Sequence, residues 1–299
     1  MDLMIFTTAP WLNVQAIFDG IMIGAVFSLI AYGMALIWGV MKIINVCQGE
    51  YVILGGYITF YLYNTYGINP LYTIPAASLF VFLVSFAIYK LVIVKVIERD
   101  LFVSILATFG LSIIIQQLMN TIFGADVEVA QSGLGTEFLF DNMVTVPVTR
   151  VFSLIIAVLV AAIVVIFMHY SKLGRAIRAT SQNKRAAKVL GVDTDKVYGY
   201  TYAINGAICG VAGSLVAMTF TLHPYIGLPY TIRSFMIVIT AGLGNFAAII
   251  TSGMGLGILE QYADYIIGTQ FRIGFVFLLL VFIIIWRSRK LLKKREYLK

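Results

Sequence analysis

Histidine and cysteine are almost missing: His169, His223, Cys47 and Cys209 are the only ones in 299 residues. None stands in a CxxC, a His-Glu-x-x-His or a Gly-x-Ser-x-Gly pattern, so redox, zinc-hydrolase and serine-nucleophile chemistry have no material to work with, and no metal site is expected. The cysteines lie in apolar stretches, where a thiol packs as a small hydrophobe. No Gly-x-x-x-x-Gly-Lys-Ser/Thr loop occurs, which excludes ATP hydrolysis by this chain through a phosphate loop. Charge is scarce as well, at 12% of residues. Residues 1–19 contain Asp2 and Asp19 but no Lys or Arg, so they lack the basic start of a secretory signal and are expected to stay on the mature chain, outside the membrane.

What is present is apolar sequence: 61% of the residues, with a mean hydropathy of +0.95. One soluble core cannot hide that much apolar surface. Uncharged windows at residues 71–89, 101–125, 151–168, 198–222 and 234–259 are each long enough to cross a hydrocarbon layer of about 30 Å as a helix. The expected fold is all-α: one polytopic transmembrane domain over residues 1–299, with about eight or nine membrane segments counting broken and half helices. The net charge of +7 is not a nucleic-acid signal, because two clusters of seven hold two thirds of the 21 Lys and Arg residues. One is the stretch 172–196, the other the tail 287–299, and such blocks stay in the cytoplasm.

Charge parity then orders the chain. A first span over residues 15–40 reaches Lys42, and the polar IINVCQGE that follows breaks the helix before the apolar pattern resumes. Residues 50–64 return outward, 71–97 come in, and 101–123 go out. The loop 124–147 holds four carboxylates and no Lys or Arg, so it is expected outside, and 151–170 come in to the basic loop 171–197. Residues 198–222 go out and 268–286 come in, so the part between must start and finish outside. A break at AGLGN, residues 241–245, giving arms at 231–243 and 247–267, satisfies that requirement. Non-helical backbone at such depth is tolerated where it is buried or lines a cavity, which directs this turn to the translocation path. The N-terminus is thus expected outside and the C-terminus in the cytoplasm.

Within the basic loop, Ser181 as N-cap and Gly191 past the end frame a helix over residues 182–190. Lys184, Arg185 and Lys188 fall on one arc, and Asn183, Ala186, Ala187 and Leu190 on another. Such a helix either lies on anionic headgroups or docks a cytoplasmic partner through its small-residue face. Glu50, after the first break, either holds the next helix start or contacts cargo. Glu260 and Asp264, at i and i+4, are flanked by Arg233 and Arg272; pairing within the bundle is expected, with a proton relay as the alternative. The pairs Gly20/Gly24, Gly206/Gly210 and Gly253/Gly257 offer small faces for close helix packing.

Gly174, Arg175, Ala176, Arg178, Ala179, Asn183, Ala186, Gly191, Val192 and Asp193 resemble the cytoplasmic loop of the permease subunits of ABC importers for branched-chain amino acids, the Liv-type permeases. IINVCQGEYVILGGY (43–57) is similar to that family's Asn-x-x-x-Gly-Glu segment, ILATFGLSIIIQ (105–116) to its fourth helix, HPYIG (223–227) to its Asn-Pro-x-x-Gly loop, and AGLGN to its Gly-Gly-x-Gly turn. These pieces run in family order over residues 17–286. Gln48 stands where many relatives have His, His223 where many have Asn, and a basic tail replaces the frequent Pro-x-Gly ending.

The resemblance implies a transport subunit that is not itself an enzyme, working in a bacterial or archaeal cytoplasmic membrane. It implies a sister permease, in a heterodimer, two cytoplasmic ATPases carrying ATP and Mg, and an extracytoplasmic substrate-binding protein; the chain itself binds no cofactor. Gly174, Arg175, Arg178, Asn183, Ala186, Ala187, Leu190, Gly191 and Asp193 would couple to the ATPases. Asn45, Gln48, Gly49, Glu50, Gly242, Gly244 and Asn245 would line the translocation path. The cargo would be a branched-chain or related small amino acid. Urea or a short amide is the alternative within the broader family, and a stand-alone channel or secondary carrier the alternative outside it.

Overall fold

The computed structural model describes residues 10–139, 144–242 and 244–296. It is nearly all-α. The first helix, α1 (Pro10–Met41), ends at Lys42, whose φ of 58° no continuing helix could hold. The next, α2 (Gln48–Tyr66), stops at Gly67, where φ is 65°. The sequence Asn-Pro then starts α3 (Pro70–Val96), with the Asn69 side chain accepting from Leu71 N–H at 3.0 Å and a π-helical turn at Tyr89–Ile93. A short bend leads to α4 (Leu101–Phe123). After an antiparallel hairpin come α5 (Val148–Tyr170), α6 (Lys172–Gln182), α7 (Lys184–Val189), α8 (Thr194–Thr219), α9 (Gly227–Ala241), α10 (Phe246–Ile267) and α11 (Arg272–Glu296).

Among the described residues five helices are long and apolar enough to cross a membrane: α1, α3, α4, α5 and α8. Burial ranks them. The most apolar windows of α1 and α8 are 94% and 89% buried, while those of α3, α4 and α5 are 28%, 22% and 28% buried. The first two therefore form the centre and the other three a rim whose outer faces suit lipid. Glycine sets the spacing at the centre. A Cβ on Gly20 or Gly24 of α1 would overlap α10 backbone at Ile258 and at Gly253 and Met254, and one on Gly210 of α8 would meet α3 at Ala77 and Ser78.

Two ends can be told apart. At the basic end, Lys184 Nζ lies 2.6 Å from Glu98, joining the α3–α4 bend to α7. At the hairpin end, β1 (Thr136–Leu139) pairs with β2 (Val144–Pro147), Thr136 opposite Pro147 and Leu139 opposite Val144. Glu128 and Leu222 exchange backbone hydrogen bonds of 3.0 and 2.7 Å, and Gln15 holds Thr145 through two bonds of 2.9 Å. The loop expected over residues 124–147 is thus partly a small sheet that straps the ends of α1 and α8. Asp141 and the hairpin tip fall outside the described residues, as do residues 1–9 and the side chains of the basic tail beyond Ile285.

The break at AGLGN is present, with Gly242 and Gly244 at φ 84° and 89° and Asn245 capping α10 through Ala248 N–H at 3.2 Å; Leu243 lies outside the described residues. Ser28 of α1 reaches Ile250 of α10 at 3.3 Å and Asn13 meets Tyr262 at 3.4 Å, so α10 runs antiparallel to α1 and finishes at the hairpin end. With Leu222 also at that end and Gly244 beside Lys42 and Arg178 at the basic end, residues 223–267 run through the bundle and come back, the even number of crossings that charge parity requires. The turn itself is exposed at the basic end and does not lie at the depth expected of it.

The helix expected over residues 182–190 needs correction. Asn183 is extended, with φ −153°, and divides the segment into α6 and α7. Its side chain accepts from Ala186 N–H at 3.0 Å, so Asn183 is the N-cap, while Ser181 sits in the last turn of α6 and donates to the Arg178 carbonyl at 2.8 Å. Gly191, with φ 83°, does follow the end of α7.

Candidate functional site

The junction at mid-depth is built by two helices that begin inside the bundle. Gln48, the first residue of α2, donates from Nε2 to the Ile30 carbonyl of α1 at 3.1 Å. Residue 30 lies eleven positions before the end of α1, about 16 Å back along its axis. The non-helical residues 42–47 therefore climb back into the bundle before α2 starts. From the other side α9 starts at Gly227 against the same spot: a Cβ on Gly49 would collide with the Gly227 carbonyl, and one on Gly227 would overlap the Glu50 carboxyl. Thr231 pins the two together, its hydroxyl accepting from Gly49 N–H at 2.8 Å and donating to the Val46 carbonyl at 3.0 Å.

Glu50 occupies this crossing with 0% of its surface exposed. Ser112 Oγ and Gln116 Nε2, both on α4, donate to its Oε1 at 3.1 and 2.8 Å. Its Oε2 has no donor among the described residues. The N-terminal ends of α2 and α9 carry partial positive charge toward the carboxylate, an arrangement that favours an anion. Beside it lies a closed polar knot. Gln48 Nε2 donates to Asn205 Oδ1 at 2.9 Å and touches Cys209 Sγ at 3.2 Å, Asn45 Nδ2 reaches Gln48 Oε1 at 3.4 Å, and the Tyr51 and Tyr202 hydroxyls are 3.0 Å apart. Gly33 of α1 makes room for it, since a Cβ there would strike Asn205 and Gln48.

A second buried charge holds α9. Arg233 donates from Nε and Nη2 to the two carboxylate oxygens of Glu260 at 2.8 and 3.1 Å, with its guanidinium 4.9 Å from the Phe27 ring and 5.7 Å from that of Tyr230. Arg272 likewise pairs with Asp264, through Nε at 2.7 Å, and Arg150 pairs with Asp19. The pairing expected of the α10 carboxylates is what the structure has.

The residues expected along the path divide between the two ends of α9. Asn45, Gln48, Gly49 and Glu50 gather at its start; Gly242, Gly244 and Asn245 follow its last residue, a helix of 15 residues and about 22 Å away. At that far end Gly244 joins Ala35, Leu36, Gly39, Val40, Lys42, Met168, Ile177, Arg178, Ser181 and Gln182 around a cleft of about 280 Å³. His223 closes the turn before α9, its Nδ1 3.3 Å from Tyr225 N.

The residues expected to couple form a capped, rigid corner. Ser171 accepts from Gly174 N–H at 2.8 Å, and a Cβ on Gly174 would overlap the carbonyls of Phe167 and Met168. Arg175 donates to the Tyr170 carbonyl at 2.9 Å, and Arg178 to those of Met168 and His169, satisfying the end of α5. Asp193 caps α8 through Lys196 N–H at 3.1 Å; that bond and the Lys196 ammonium hold its carboxyl below the usual range. Ala186 is exposed, and Val189 and Leu190 are 87% and 82% exposed, whereas Ala187 is 2% exposed and points into the protein, off the face assigned to it. Asn205 and Thr231 carry no mark in the sequence as site residues, and Ser112, Gln116 and Gly227 are marked only as members of the segments 105–116 and 223–227, with no role assigned. Ser112 and Gln116 carried a signal, two polar residues at i and i+4 on an apolar span, but nothing in the sequence says that they face Glu50.

A multi-pass helical membrane protein with discontinuous helices meeting at mid-depth is the class these features define. Residues 16–286 match the family model described as branched-chain amino acid transport system, permease component, and the chain belongs to that family. It is 26% identical over 287 residues to the high-affinity branched-chain amino acid transport system permease protein LivH of Salmonella typhimurium, covering 90% of this chain and 92% of LivH. It is 24% identical to the corresponding BraD protein of Pseudomonas aeruginosa, covering 94% and 96%. With the probable LivH of Methanocaldococcus jannaschii it shares 26% over 255 residues, 83% of this chain and 80% of that one. No solved structure matches. The chain is thus a transport permease of the inner membrane and not an enzyme.

Proposed function

We propose that this permease is a membrane subunit of an ATP-driven importer that carries a branched-chain or related small amino acid into the cytoplasm. The observation that carries the reading is the course of α9. It starts at the Glu50 junction and ends at a turn whose Gly244 shares a cleft with Arg178 of α6. A push on the basic corner therefore has a rigid, one-helix route to the mid-depth crossing. The basic end faces the cytoplasm, where Gly174, Arg175, Arg178, Asn183, Ala186, Leu190, Gly191 and Asp193 form the corner and Val189 and Leu190 supply the apolar contact for an ATPase. Two such ATPases bind ATP and Mg, a sister permease completes the membrane pair, a binding protein delivers cargo at the hairpin end, and lipid surrounds the exposed faces of α3, α4 and α5.

In this reading ATP binding moves α6 and α7, the movement passes through the Gly242–Asn245 turn along α9, and the contact between Gly49 and Gly227 opens and closes. A pathway of this kind needs two packings of similar energy rather than a tight site. Replacing Ala186→Trp together with Leu190→Asp alters exposed positions only, so the fold survives. The double variant is expected to lose co-purifying ATPase and leucine uptake; unchanged values for both would sink the coupling assignment. Affinities of the partner binding protein for leucine, urea and acetamide test the cargo, with leucine expected to bind at least a hundredfold more tightly.

A further inference from the structure

The cleft at the basic end has a character of its own. One wall is apolar, with Leu36, Val40, Met168 and Ile177. At its rim stand two cations. Lys42 has no carboxylate partner among the described residues, and Arg178 meets only the Met168 and His169 carbonyls at the C-terminal end of α5, whose partial negative charge offsets part of its own, so the rim keeps a net positive charge centred on Lys42. Gly39 and Val40 bring the end of α1 into the same space. Lys42 N–H bonds back to the Trp38 carbonyl, and no described backbone N–H reaches the carbonyls of residues 39–41, which carry the partial negative charge of a helix C-terminus. A volume of about 280 Å³ lies just under the about 300–1,000 Å³ of drug-sized ligand sites, so the occupant that fits is smaller than those.

A positive spot, a negative spot and an apolar wall in a space of that size match the three parts of a small apolar α-amino acid. We propose that this cleft binds such an amino acid from the cytoplasm, its carboxylate toward Lys42 and Arg178, its ammonium toward the last carbonyls of α1, and its side chain against Met168 and Ile177. The inference rests on the amino-acid reading above and adds a consequence to it. The walls are α1, α5, α6 and the Gly244 turn, so an occupant ties α6 to the end of α9. Released cargo would then hold the corner still and slow further cycles.

The test uses the assembled transporter in vesicles of neutral phosphatidylcholine, with binding protein and leucine enclosed and ATP outside, where the basic end is exposed. Leucine added outside is expected to bind the transporter at equilibrium, with leucinol, which lacks the carboxylate, failing to compete, and to lower ATP hydrolysis about fivefold at saturation. Lys42→Asn keeps a residue type that tolerates φ near 58° and removes the charge; it should weaken this binding at least tenfold and abolish the inhibition while hydrolysis without outside leucine stays at the wild-type rate. Gly39→Leu, a position where an added Cβ meets nothing within 4 Å, fills the space and should abolish binding in a folded transporter. Absence of leucine binding in a preparation that still transports leucine overturns the cleft assignment and leaves the transport reading standing. A preparation that transports urea but not leucine overturns the transport reading itself. If leucine binds in neither kind of vesicle while phosphatidylglycerol binds the wild type and not Lys42→Asn, the rim takes a lipid headgroup and the proposal fails.

Discussion

Gly49 and Gly227 touch backbone to backbone because neither has a Cβ, and the crossing of α2 and α9 depends on that absence. Gly49→Ala forces the two segments apart or distorts both. Overpacking of this kind costs about 1–3 kcal/mol, to be read as a lower unfolding midpoint of the purified protein. Arg233 and Glu260 show the reverse dependence, on a partner being present. Arg233→Met leaves Glu260 buried without its hydrogen-bonded counter-charge, for which about 3–5 kcal/mol is the usual cost. The double change Arg233→Met with Glu260→Leu should recover most of that loss. If the double variant were as unstable as the single one, the pair would not be the cause.

At the scale of elements, α7 has six residues and stays helical through its cap and its neighbours. Asn183→Ala removes the acceptor for Ala186 N–H and should destabilise this element by about 1 kcal/mol, seen as faster amide exchange at residues 184–189 with the rest of the bundle unchanged. The link from Lys184 to Glu98 makes the same element sensitive to acid. The hydrogen bond from Lys184 holds the Glu98 carboxyl below its usual range, so the link is fully present above the ordinary carboxylate value and is lost as pH falls through the lowered one. Protection of the amides at residues 184–189, taken relative to their intrinsic exchange rates at each pH, should fall over that acidic window in the wild type and be independent of pH there in Glu98→Gln. Much of this level is legible from sequence alone. Residues 101–123 coincide with α4, the polar run after Lys42 and the AGLGN turn mark the two breaks, and the α10 carboxylates find their arginines. What stayed hidden depends on distance in space. Hydrophobic period cannot show that residues 42–47 climb to the level of Ile30, that Gly227 lands on Glu50, or that Asn183 competes with Ser181 for the cap, because each is decided by a partner far along the chain or by one extended φ.

For the whole molecule, the two ends fix what must label from which side. Cysteines placed at 98 and 184 should react with an impermeant reagent from one face of the membrane and a cysteine at 137 from the other, with a cysteine at 293 joining the first pair; 184 and 293 on opposite faces would refute the topology. The central position of α1 has a further consequence for how the protein is made. This helix leaves the ribosome before α8 and α10, which enclose it and begin only at residues 194 and 246. Its mean hydropathy of 2.1 lets it enter lipid alone, and until residues 246–267 are synthesised Gly20 and Gly24 have only acyl chains against them. Insertion and assembly are therefore separate events in this protein, and a truncation that ends before α10 would leave a correctly inserted chain with its central helix still in lipid.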